Sequence, residues 1–119
     1  MRAPVLKIFK AAVVAACLAT PAYAVNCTFT TECFESEACA ETSYEIAIEQ
    51  DGEATKLVSV AETIPVSRGG SDSARVYVGV TDSAFHLLSR NADGNARYTT
   101  HMYQGPMVVS YLGTCEEPS

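Results

Sequence analysis

Apolar and polar residues alternate with a period of two along most of this 119-residue chain, broken at hairpin-like intervals by Gly, Asp, Asn and Pro. Successive side chains of a strand point to opposite faces, so such a sequence folds as antiparallel hairpins with one buried face. Tyr44, Ile46 and Ile48 alternate with Glu45, Ala47 and Glu49 up to Asp51-Gly52, which reads as a two-residue hairpin turn. Thr55, Leu57 and Ser59 then return on the Tyr44 face, with Lys56 diagonal to Glu45 and Glu49 on the wet side. Thr63 to Ser67 carries Pro65, which cannot donate to a ladder and predicts an edge strand. Arg68 to Ser73 reads as a loop by its glycine and serine content.

The C-terminal half predicts a meander, with strands at about 75–81, 84–90, 95–103 and 107–113. Asn91-Ala92-Asp93-Gly94 fits a type I turn closed by a glycine bulge, because Asn caps the turn and Gly accepts positive φ. Residues 30–42 resist the strand reading and predict a short helical turn or a stapled loop. The fold class is therefore all-β: an antiparallel meander of six or seven strands forming a small barrel or a curved sheet, tied by disulfides.

The first 24 residues have the grammar of an export signal. Arg2, Lys7 and Lys10 form a basic start, 11–19 an apolar run, and Ala22-Tyr23-Ala24 a small-residue cleavage site before Val25. The apolar run is about half of the ~20 residues a membrane-spanning helix needs. Val14-Ala15-Ala16-Cys17 offers the alternative of a lipoprotein signal, with Cys17 acylated. Cleavage after Ala24 leaves one domain, 25–119, destined for the periplasm or the outside of the cell.

Cysteine count and charge both sharpen on that cleavage. Loss of Cys17 leaves four cysteines, Cys27, Cys33, Cys39 and Cys115, an even number suited to disulfides in an oxidising space. Of their three possible pairings, Cys27–Cys115 with Cys33–Cys39 is preferred. A four-thiolate metal site lacks the tight Cys-x2-Cys pairs that usually clasp zinc. Fourteen acids against five remaining bases make the mature net charge −9. Such a chain is repelled by nucleic acid and drawn to cations and basic proteins.

Candidate chemistry is sparse. No nucleophile elbow, glycine-rich phosphate loop, redox Cys-x-x-Cys or haem-attachment motif occurs, so neither catalytic residues nor a cofactor are assigned. His86 and His101 meet only if Asp93-Gly94 makes a two-residue turn; the bulged turn sends them to opposite faces, where they read as two surface imidazoles. Copper or zinc binding therefore stays a minor alternative. From Glu32 to Glu53 there are eight acids and no Lys or Arg, which reads as a hydrated face, with calcium binding as the other possibility.

The stretch Asp93-Gly94-Asn95-Ala96-Arg97-Tyr98, the later Gln104-Gly105 and the closing Gly113-Thr114-Cys115 resemble the periplasmic and membrane-bound inhibitors of C-type lysozyme. Those are exported β-barrels whose terminal segments share a disulfide and whose Ser-Gly-x-x-Tyr turn and Lys-Gly enter the lysozyme cleft. Asp93 stands where that family has serine, one residue is inserted before Tyr98, and Gln104 replaces the lysine. The resemblance implies a binding site at Asp93, Gly94, Arg97, Tyr98 and Gln104 and a basic protein partner. The two functional expectations are thus a non-enzymatic envelope module and an acidic inhibitor acting through the 91–105 hairpin.

Overall fold

A computed structural model describes residues 23–117. Most of the expected leader, with Cys17, lies outside them, while Tyr23 and Ala24 already belong to the first strand. Eight strands follow one another: β1 Tyr23–Phe34, β2 Ala40–Asp51, β3 Ala54–Val58, β4 Thr63–Ser71, β5 Ala74–Val80, β6 Ala84–Asn91, β7 Asn95–Met102 and β8 Met107–Glu116. Each pairs antiparallel with the next, and β8 pairs back with β1, so the meander closes into a barrel. Closure gives every strand a neighbour on both sides.

Strand parity decides what fills the barrel. Val25, Cys27 and Phe29 of β1, Ile46 and Ile48 of β2, Leu57 of β3, Tyr77 of β5, Leu88 of β6 and Tyr98 of β7 form one buried cluster. Phe29, Leu57 and Leu88 are essentially inaccessible, each contributing about 1.5–3 kcal/mol by leaving water. Eight strands enclose a lumen just wide enough for side chains to fill, and here they fill it.

Closure is locked by chemistry as well as by pairing. Cys27 and Cys115 stand directly opposite each other in the β1–β8 ladder and form a disulfide across 88 residues, which on the chain-entropy account contributes about 4–5 kcal/mol. Cys33 and Cys39 form the second bridge, joining the end of β1 to the start of β2. Both pairings are the preferred ones, and they point to a non-cytoplasmic, oxidising compartment. Beside the first bridge, Gly113 faces Phe29 where β1 is bulged; a Cβ there would lie 2.0 Å from the Thr28 carbonyl oxygen and 2.6 Å from the Phe29 Cα. Only glycine lets the closing strands approach so nearly.

Several expectations shift. The count is eight strands, because the N-terminal segment and most of 30–42 are also strand; only 35–39 remains a loop, stapled by its disulfide. The first hairpin turns at Gly52-Glu53 rather than Asp51-Gly52, which sets Lys56 directly opposite Glu49, their charged ends 3.9 Å apart, and leaves the buried faces unchanged because the register moves by two. The expected loop at 68–73 is mostly strand: β4 runs to Ser71, and only Asp72 and Ser73 make the turn. Pro65 lies in a closed barrel, not at a sheet edge. Its ladder to β5 begins only at Ser67↔Val78, so its missing N–H falls where β4 has a partner on one side alone.

The 91–94 turn forms as the sequence predicts. The Asn91 side-chain carbonyl accepts from the Asp93 and Asn95 amides, both at 3.0 Å, and Gly94 takes φ +90°. The bulged register sets Phe85 opposite His101 and His86 opposite Thr100.

Candidate functional site

In an up-and-down meander every second connection lands at the same end of the barrel. The connections 35–39, 59–62, 81–83 and 103–106 form one end, called the upper end below, and the tight turns 52–53, 72–73 and 92–94 form the lower. The two ends differ sharply in charge. Glu35, Glu37, Glu62 and Asp82 lie in the upper connections, with Glu32 and Glu41 in the adjoining strand ends. Among the described residues no Lys or Arg accompanies them there: Lys56, Arg68, Arg75, Arg90 and Arg97 all lie toward the lower end.

The upper end is also where apolar side chains meet water. Of the five large hydrophobic residues left exposed among those described, Val60, Val80, Phe85 and Tyr103 are at this end, and only Tyr23 is at the other. Val60 is wholly exposed at the tip of its turn and Val80 is 71% exposed. Phe85 pairs with Val80 on one side and His101 on the other, making a short outward row. Four exposed apolar side chains thus share the upper end with its carboxylates.

Hydrogen bonds hold these connections in place. The Ser59 hydroxyl accepts from the Ala61 and Glu62 amides at 3.2 and 3.3 Å, and the Ser59 amide donates to the Glu62 carbonyl at 2.9 Å. Thr81 binds Ala84 in the same way, and the Tyr103 amide donates to the Ser83 carbonyl at 3.1 Å, linking two connections. The Glu35 amide donates to the Val108 carbonyl, and the Val108 amide donates back to the Glu35 carboxylate. A rim fixed before binding loses little conformational entropy when a partner arrives.

Beneath the rim, aromatic rings plug the lumen. Tyr111 lies 5.1 Å from Tyr44 and 5.7 Å from Tyr98, centroid to centroid, and Phe29 closes the group from below. The Tyr44 hydroxyl donates to the Ser59 hydroxyl at 3.0 Å, tying plug to rim. His86 is the surprise: it is buried, not a surface imidazole, with Nδ1 2.7 Å from the Tyr98 hydroxyl and Nε2 without a partner. Burial lowers the His86 pKa and pushes the Tyr98 phenol up to about 12, so both are neutral near pH 7. Tyr111 is raised further by burial and by its hydrogen bond with Glu32.

The residues singled out in the sequence are not gathered together. Asp93 and Gly94 form a lower turn, Gln104 lies in an upper connection, Tyr98 is buried in the lumen and Arg97 faces outward opposite Ser89. His86 and His101 lie on opposite faces of the wall, and among the described residues no group of three or more His, Cys, Asp or Glu is placed to hold a metal ion. What the sequence reading missed is the upper rim. Its signal was present in the order of the turns, since alternate turns of a meander share an end. No family model, curated protein or solved structure matches the chain.

Proposed function

We propose that the chain is a non-enzymatic binding barrel of the periplasm or the cell exterior, and that its upper end docks on a basic protein, a C-type lysozyme being the leading example. One observation carries the reading: among the described residues, six carboxylates and four exposed apolar side chains share that end with no Lys or Arg. The filled lumen supports it, because a plugged barrel has no interior cup for a small ligand and works through its outer surface. Charge of one sign steers a basic partner from a distance, and a few apolar anchors then set how long it stays.

The test is titration of a C-type lysozyme with the mature protein at low and at high salt. Association at one to one that weakens with salt is expected. Tyr103→Ala should cost on the order of 1–2 kcal/mol of binding. Neutralising Glu35, Glu37 and Glu62 together should slow association more than it speeds dissociation. Asp93→Asn, at the opposite end, should change nothing. Loss of binding through Asp93 with the rim substitutions silent would return the interaction to the 91–105 hairpin; no association would remove lysozyme as the partner.

A further inference from the structure

Beneath the rim lies a group that docking does not use. Among the described residues, Nε2 of the buried His86 is the one buried side-chain nitrogen or oxygen without a hydrogen-bond partner. Folded chains rarely leave such an atom unpaired, and packing alone gives no reason for it here. On the β5 side His86 stands opposite Gly79, and Ile64 and Val66 of β4 fill the room left by the missing side chain. Tyr77, the titratable residue of β5 on that face, lies one step lower, opposite Leu88. On the β7 side His86 stands opposite Thr100 and stacks on Tyr98, the ring centroids 6.1 Å apart. Behind Tyr98 come the phenols of Tyr44 and Tyr111, while His101 points out of the barrel. One charge is felt at the ring, that of Glu62 in the 59–62 connection, and it favours the imidazolium.

A continuous set of contacts joins this ring to the rim. His86 Nδ1 lies 2.7 Å from the Tyr98 hydroxyl, Tyr98 stacks on Tyr44 at 6.5 Å, and the Tyr44 hydroxyl donates to the Ser59 hydroxyl at 3.0 Å. Ser59 in turn holds the Ala61 and Glu62 amides. A neutral imidazole has one N–H and one lone pair, whereas an imidazolium has two N–H groups and no lone pair. Protonation therefore makes Nδ1 a donor to the Tyr98 oxygen, so the Tyr98 hydroxyl cannot give its own proton to His86. It also leaves Nε2–H as a charged donor with nothing to receive it. A buried charge without a partner costs enough to move structure. The Glu62 carboxylate, exposed on a short connection, is the acceptor of the right sign that can come to it.

We propose that protonation of His86 switches the conformation of the rim: the imidazolium draws Glu62 inward, and the 59–62 connection, with Val60 at its tip, rearranges with it. The switch needs no partner, so it stands or falls apart from docking. The mature protein is titrated from pH 7.5 to 5 while the His86 ring resonances and the amide resonances of 59–62 are followed, with the amides of 112–115 reporting that the barrel stays closed. The rim amides should move with the same midpoint as the His86 ring, below 6.5 because the ring is buried. His86→Gln should abolish the rim transition, and His101→Gln, on the outer face, should keep it. Glu62→Gln tests the same step without altering the core: His86 should take its proton at lower pH, and the rim shifts should be lost. A rim transition that survives His86→Gln, rim amides that stay flat while His86 titrates, a ring that stays neutral down to pH 5, or a His86 midpoint unmoved by Glu62→Gln would each overturn the switch.

Discussion

His86 shows how a single residue can couple the barrel to pH. It is 1% exposed, its Nε2 has no partner, and burial holds its pKa below the usual 6.5, outweighing the opposite pull of Glu62. A base with a lowered folded pKa takes its proton more readily in the unfolded chain. Stability is therefore complete above about pH 6.5 and falls as the pH drops below it. Urea midpoints measured between pH 7.5 and 5 should decline for the native protein and decline less for His86→Gln; equal slopes would mean that His86 contributes no linkage. Parity already put His86 on the face of Ala84 and Leu88. Sequence alone left open which face was inner, because Phe85 and Leu87 make the other face of β6 just as apolar. The exposure of Phe85 and Val80 was illegible for the same reason.

Among the elements, the β1–β8 seam depends on one absent side chain. Gly113→Ala drives a methyl into the backbone of Thr28 and Phe29, neither of which can swing aside, so a loss of about 2–3 kcal/mol or more is expected in the urea midpoint. Wild-type stability in that variant would show that the bulge in β1 absorbs the strain. The meander of 74–116 was readable almost to its boundaries, because its turns carry residues with strong conformational preferences. β4 was not. Its Pro, Gly and Ser content describes a loop locally, whereas pairing with β3 above and β5 below recruits it as strand, a tertiary effect that local preference does not register.

For the whole molecule, the two bridges play unequal parts. Removing Cys27 and Cys115 together releases an 88-residue loop and should cost about 4–5 kcal/mol, enough to unfold a small domain; removing Cys33 and Cys39 releases a loop of only six residues and should cost about 2 kcal/mol while loosening the 35–39 connection at the rim. Calorimetry of the two double variants separates these outcomes, and equal costs would contradict the loop-length account. The all-β meander was legible from alternation, which left open a barrel or a curved sheet, and the even cysteine count left three pairings, of which the preferred one is the one formed. The polarity between ends was not, because it exists only once alternate turns are brought together by closure.

That polarity is the claim on which the functional reading stands, and mapping the amide resonances of the labelled barrel during titration with a C-type lysozyme tests it most directly. The reading requires perturbations at 35–39, 59–62, 81–83 and 103–106, with the lower turns at 52–53, 72–73 and 92–94 silent. Shifts centred on 92–94, or none at any ratio, would contradict it.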